Sequence, residues 1–356
     1  MSWAVFPIEQ FERFAARWDR INEASGSVPV LKSLFISNLL RAFGSGKELI
    51  VVRHSGSEDE AIGILCKRRN GVYETFQPSQ APLGAWVMNP NLNYEDAFVG
   101  LFRMLPGLTL LIGTTKQDPL YHRQPDTRAC ALEVVDYIRT GWVDVAGTFD
   151  DYWNSRSKQF RQNIRTQRSR LKAQGLEAKL DVIVDPVDVA DAVVEYGCLE
   201  SAGWKGSEGT AVHPNNVQGK FYRAVLEDFC RIGAGRIYRY RLDGRTVAMD
   251  LCIESSTAQI LLKTAYDESI KGLSPASLMR QESYRAIFEE RRIKTIEYYG
   301  RVMEWTTRWT DQSRTLFHVN GYRWWILCYL HARMRRALKW KRNDASQRQN
   351  SETDKA

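Results

Sequence analysis

The sequence predicts a mixed α/β protein, and two observations carry that reading. Short runs rich in Val, Ile, Leu and Tyr, separated by Gly, Asn and Asp turns, alternate with longer segments of helical apolar spacing. In addition, one order of elements (three strands in a meander, a helix, a further strand) occurs twice along the chain.

In the first copy, ELIVVRH, the turn SGSEDE, AIGILCKR, the Asn70-Gly71 turn and VYETF read as three strands. Ala81–Trp86 is a loop, Tyr94–Leu105 a helix and LTLLIG a buried strand. Two helices, Ile8–Trp18 and Leu31–Phe43, precede this copy. In the second copy, RIYRYRL, DGR, TVAMDLCI, SST and AQILLKTAYD lead through SIKGL into a helix from Pro275 and then TIEYYG. Ala61 and Ala248 lie 187 positions apart, as do Gly113 and Gly300. Between the copies, ALEVVDY reads as a strand. A long basic helix then runs from near Phe149 to Ala173, stopped by Gly175, with Phe160, Ile164 and Leu171 as its inward stripe. LEAKLDVIV is a strand and Val187–Ala202 a helix. Tyr322–Lys341 reads as a helix, and SQRQNSETDKA has the composition of disorder. The expected division is 1–145, 146–332 and a basic tail, 333–356.

Composition narrows the function. The 356 residues are 44% hydrophobic, with no apolar run long enough to cross a bilayer and no signal-like start in MSWAVFPIEQFERF. A cytoplasmic protein is expected. Six scattered cysteines form no C-x-x-C pair, so neither a zinc site nor a disulfide framework is indicated, and no metal is expected. The net charge of +8, from 50 Lys+Arg against 42 Asp+Glu, suits an anionic partner: a nucleotide cofactor, nucleic acid or an acidic membrane surface. Cations concentrate at Lys158–Lys172 and Arg333–Arg342. In the tail, Arg333, Arg336, Lys339 and Arg342 beside Leu338 and Trp340 suit an anionic inner-membrane surface, or else a solvated last helix. His213, in the polar loop TAVHPNN, reads as a surface histidine.

The stretch LLKTAYDESIKGLSPASLMRQE is the most informative. A strand ending at Tyr266, a tight loop and a helix N-terminus make an anion site, because first-turn N–H groups and the helix dipole point at the ligand. Ser274 suits the N-cap, Pro275 the first helical position, and Ala276 and Ser277 are small enough for a phosphate to approach. Ser-Pro also begins many ordinary helices, so on local grounds both readings stand. Asp250, alone in VAMDLCI, is costly to bury unpaired. It either faces a polar cleft or pairs with a Lys or Arg.

Four segments together resemble the tandem form of the Gcn5-related N-acetyltransferase (GNAT) fold, found in Fem-type aminoacyltransferases and CelD-like polysaccharide-biosynthesis proteins. They are SRSKQFRQNIRTQRSRLKAQG, ESAGWKGSEGTA, LLKTAYDE with GLSPASLMRQE, and YYGRVMEWTTRW. The resemblance implies two GNAT-like domains joined by the long basic helix, with the active cleft in the second. It implies transfer of an acyl group from acyl-CoA, or an acyl carrier, to an amine of a sugar or cell-envelope precursor. Acyl-CoA would be a co-substrate, and no cofactor would be held permanently. The alternatives are an aminoacyl-tRNA donor gripped by the basic helix, and an inactive binding component of a polysaccharide synthesis complex. Backbone N–H groups near Lys263, Thr264 and Ala265 would polarise the donor carbonyl. Ser274, Ala276 and Ser277 would meet donor phosphates, Asp250 would be the general base and Tyr266 the acid. Trp204, Lys205, Tyr299, Arg301 and Trp305 would border the acceptor. Two features depart from the family pattern: Ser-Pro-Ala-Ser replaces a glycine-rich phosphate loop, and Trp305-Thr306 with Trp309 follows Gly300 where Tyr-Lys and a tryptophan are usual.

Overall fold

A computed structural model describes residues 2–331 and 333, apart from 57, 127–130, 203–211 and 214. Trp204 and Lys205 lie outside the described residues, as does the tail beyond Arg333.

The strands are β1 (Ser2–Pro7), β2 (Leu49–Ser55), β3 (Glu58–Arg69), β4 (Val72–Thr75), β5 (Trp86–Met88), β6 (Leu111–Gln117), β7 (Leu132–Asp144), β8 (Ala178–Ile183), β9 (Gly235–Leu242), β10 (Arg245–Glu254), β11 (Ala258–Tyr266), β12 (Thr295–Glu297) and β13 (Ser313–Tyr322). Among the described residues they form one sheet, ordered β1-β2-β3-β4-β6-β13-β7-β12-β11-β10-β9-β8, with β5 attached to β3. The two copies are visible in this order. Each is an antiparallel meander (β2-β3-β4, β9-β10-β11) whose last strand pairs in parallel with the strand after a crossover: β4 with β6, β11 with β12.

The copies are joined by exchange. The strand following each module pairs with the other one, β7 with β12 and β13 with β6, and β7 and β13 pair with each other at the centre. The 187-residue spacing holds at the start of β3 and β10, Glu58 and Arg245. It has drifted by the crossover strands. Gly113 lies opposite Glu74, whereas the equivalent position opposite Ile260 is Glu297, so Gly300 is not the counterpart of Gly113.

Both faces of the sheet are covered, which is why strands such as TVAMDLCI are apolar without alternation. On one face, Met249, Leu251 and Ile253 meet a core supplied by Trp18, Phe35, Val193 and Phe221. Phe221 contacts Phe35 and Phe43 edge-on, which ties helix Val217–Arg231 to helix Ser33–Phe43 of the first half. On the other face, Ala248 and Cys252 pack against Leu278, Met279 and Phe288 of helix Pro275–Glu290 and against Phe160 and Ile164 of helix Lys158–Ala173.

Several elements differ from the sequence expectation. The first helix spans Phe11–Ala24, and the residues before it form β1, an edge strand. Tyr94–Leu105 is two short helices, Tyr94–Phe98 and Leu101–Met104, parted by Gly100 at φ +82°. The single helix expected from Phe149 is broken at Arg156. Ser157 accepts from the Phe160 N–H (3.2 Å) and starts a new helix at Lys158, an N-cap that outcompetes continuation. Helix Val217–Arg231 was not read from the sequence. Nor was β13, whose Tyr322 was assigned to a helix; helical structure begins at residue 325.

Candidate active site

Parallel pairing of β11 with β12 covers only Ala258–Ile260 against Thr295–Glu297. Beyond it β12 ends, while β11 continues to Tyr266 with β10 on one edge and, among the described residues, no strand on the other. The resulting wedge is a cavity of about 560 Å³. Its walls are β11 from Leu261 to Thr264 with Tyr266, the start of helix Pro275–Glu290, and the segment Tyr298–Trp309. Among the described residues the lining includes Lys271, Arg280, Arg301 and Arg308 and no carboxylate; Arg280 and Arg308 are paired with Asp250 and Glu304, so Lys271 and Arg301 chiefly favour an anion here.

The sequence-predicted residues divide here. Thr264, Tyr266, Ser274, Ala276, Ser277, Arg301 and Trp305 all line the cavity. Lys263 borders it as well, but its ammonium lies 3.6 Å from Glu200 and over the Tyr222 ring, on the opposite face. Ala265 belongs to that opposite core. Tyr299 is directed away too, donating to Asp118 Oδ2 at 3.1 Å.

Asp250 does not open to the cleft as a free base would. It is 2% exposed and lies opposite Thr264, because a bulge at Leu251/Cys252 moves its partner by one residue from Lys263. Arg280 Nε donates to its Oδ2 (3.1 Å) and Arg280 Nη2 to its Oδ1 (3.2 Å); Thr264 Oγ1 donates to Oδ1 at 2.5 Å. Burial alone would lower the Arg280 pKa, and the Asp250 carboxylate outweighs it, holding the guanidinium charged. That guanidinium lies 4.5 Å from the Trp305 ring centre, and the Tyr298 ring meets Trp305 edge-on. Asp250 thus fixes a cation at the cavity wall. Arg280, Lys271, Tyr298, Met303 and Arg308 were missed by sequence reasoning. For Arg280 a signal existed, since it is a lone charge on the stripe Ala276–Arg280–Tyr284, matching the lone charge in VAMDLCI.

The helix entrance also differs from expectation. Ser274 occupies the N-cap position at φ +53°, without a side-chain capping bond. Ser277 and Leu278 N–H groups return to the Ser274 carbonyl and Pro275 has no N–H, which leaves Ala276 N–H as the first-turn donor. Across the cavity Tyr299 is also left-handed, at φ +48°. For a non-glycine residue each costs roughly 1–2 kcal/mol, and such strain gathers where a site demands a particular backbone. Trp309 contributes to the wall of the wedge. It is buried against Phe160, Tyr284 and Trp153.

The matching place in the first copy is closed. Gly84 N–H donates to the Thr115 carbonyl (3.2 Å) and Ala85 N–H to the Phe76 carbonyl (3.0 Å), so residues 84–85 bridge β4 and β6. A Cβ on Gly84 would sit 2.4 Å from that carbonyl oxygen and 2.5 Å from Thr75 Oγ1. Only glycine fits there.

A parallel strand pair that splays beneath a helix N-terminus defines an acyltransferase architecture, and sequence comparison agrees. Residues 158–306 match the family described as an acetyltransferase (GNAT) domain, so this part of the chain is a GNAT domain, of a kind that uses an acyl-CoA co-substrate. Solved structures resemble the chain over nearly its whole length. The C-terminal domain of a proposed lysylphosphatidylglycerol synthetase from Agrobacterium fabrum superposes with TM-score 0.53 at 11% identity, covering 87% of this chain and 92% of that one. FemX gives 0.52 at 8% identity, with 90% and 97% covered. A conserved protein of unknown function from Bacteroides thetaiotaomicron gives 0.53 at 9%, with 90% and 99% covered. At such identities the likeness establishes the fold. Among curated proteins, none matches the sequence.

Proposed function

We propose that the chain is an N-acyltransferase that moves an acyl group from acyl-CoA to an amine of a sugar or cell-envelope precursor, with the reaction in the β11/β12 wedge. The observation that carries this reading is the wedge itself, open in one module and closed by Gly84 in the other, with Lys271 and Arg301 on its wall and no carboxylate among the described lining residues. The donor's phosphates meet Ala276 N–H, Ser277 and the nearby Lys271. The acyl thioester lies along β11, whose main chain at Lys263–Thr264 faces the gap and polarises the carbonyl.

The amine nitrogen attacks the thioester carbon, the C–N bond forms and the C–S bond breaks. Tyr266, exposed at the end of β11, gives a proton to the departing thiolate. Among the described lining residues there is no carboxylate or imidazole, so the proton of the attacking amine passes to water. Asp250 is left a positioning role through Arg280. The aminoacyl-tRNA alternative would rely on the cations of the basic helix other than Arg168, which is engaged with Gln281 (2.8 Å) and Glu282 (2.9 Å).

The test is calorimetric titration with CoA of the wild type and Ser277→Glu, which sets a carboxylate where the phosphates belong. Binding to the wild type and none to the variant is expected, with unchanged thermal stability. Equal affinities, or a wild type that ignores CoA while turning over another donor, would show that this helix end is structural. In turnover, Tyr266→Phe is expected to lower the rate by about 10²–10⁴-fold, with CoA affinity kept.

A further inference from the structure

The helix beginning at residue 325 is built inside out. Its inward side is anchored by polar contacts: Cys328 Sγ approaches the Leu132 carbonyl, and His331 Nδ1 contacts the Tyr322 hydroxyl (2.7 Å) and Glu133 (3.3 Å). Its outward side presents Trp325, Ile326, Tyr329 and Leu330, an i, i+1, i+4, i+5 stripe that is apolar rather than charged. Trp325 is 69% exposed and Tyr329 53%. Among the described residues nothing covers them. Arg333 continues the stripe, with its guanidinium 5.7 Å from the Tyr329 ring. Beside the helix, Trp324 borders a cavity of about 620 Å³ that also takes in Phe102 and Arg103.

We infer that this face docks on an anionic lipid bilayer, the aromatic stripe entering the headgroup layer. Trp and Tyr favour that layer because each has an apolar ring and a polar tip. The sequence next to the stripe supplies the matching charge: Arg333, Arg335, Arg336, Lys339, Lys341 and Arg342, with no Asp or Glu between His331 and Asn343. Six cations within the twelve residues that follow Leu330 in the sequence, joined to an apolar stripe, fit a surface that is negative and apolar at once. A second copy of the chain fits less well, since a two-fold contact pairs like with like and brings two chains of this basic sequence together. No helix among the described residues is long and apolar enough to cross a membrane, so the contact is peripheral. This inference does not depend on the chemistry of the wedge.

The experiment is co-sedimentation of the full chain with vesicles of phosphatidylcholine alone and of an equal mixture with phosphatidylglycerol, at low salt. Binding to the mixed vesicles is expected, reduced by about tenfold or more in a Trp325→Ser, Ile326→Ser, Tyr329→Ser variant of unchanged thermal midpoint. Should that variant fold poorly, Tyr329→Ser and Arg333→Glu singly read the same surface. Unchanged partition of the variants overturns the inference. So does a wild type that binds neither vesicle, or one that sediments as a dimer which the substitutions dissolve.

Discussion

Asp250 shows how one residue's role turns on its partner. A carboxylate in an apolar strand is a candidate base only if one of its lone pairs stays free to take a proton from the cleft. Here Arg280 and Thr264 take them. Removing one member of a buried ion pair leaves the other uncompensated, at a cost of about 3–5 kcal/mol. Asp250→Ala is therefore expected to lose that much stability in urea unfolding and to weaken CoA binding, because Arg280 is released from the wall. A variant of full stability whose only defect is a slower chemical step would restore Asp250 as the base.

At the scale of elements, the two modules differ in what lies between their parallel strands. In the first, Gly84 and Ala85 join β4 to β6, and Trp86, Tyr94 and Phe98 fill the space beside them. In the second, β11 and β12 part and leave a cavity. Gly84→Ala puts a methyl group within 2.5 Å of backbone and side-chain oxygens, forcing the strands apart. A loss of about 1–3 kcal/mol is expected, typical of overpacking, with CoA binding unaffected because the open wedge belongs to the other module. Loss of CoA binding in a folded Gly84→Ala protein would place the donor site in the first module.

At the scale of the molecule, the exchanged strands meet around buried ionisable groups. Arg314 of β13 pairs with Asp118, after β6, and with Glu297 of β12 (2.6 and 2.9 Å). Burial raises the Glu297 carboxyl to about 7, against the pull of Arg314. Nearby in the chain, burial lowers the His122 imidazole to about 4. The signs are opposite. Folding costs more as pH rises toward 7 on account of Glu297, whose folded form holds its proton longer than the unfolded one. It costs more as pH falls from the ordinary histidine range toward 4 on account of His122, which must stay neutral. The two slopes offset each other in mildly acidic solution. Glu297→Gln removes one of them, so unfolding midpoints measured at pH 5 and pH 8 should diverge more in the variant than in the wild type. An equal or smaller divergence would mean that Glu297 is ionised throughout.

The sequence by itself determined the two strand meanders, their repeated order and the segment that forms the wedge, but not β1, β13 or helix Val217–Arg231. Strand runs bounded by NG and DG turns, and a Ser-Pro helix start, are written in local chemistry that a neighbour rarely overrides. The capping position of Ser157 was equally local, yet the apolar stripe running from Phe149 to Ala173 masked it. Tertiary structure decided the rest. β13 and β7 change partners across the modules, and Asp250 meets Arg280, because strand pairing and buried charge pairing join residues far apart in the chain. Neither leaves a periodicity within a single segment. Whether a splayed strand pair stays open is decided the same way: one loop in the first module carries a glycine small enough to enter the gap, and no described segment enters the gap in the second.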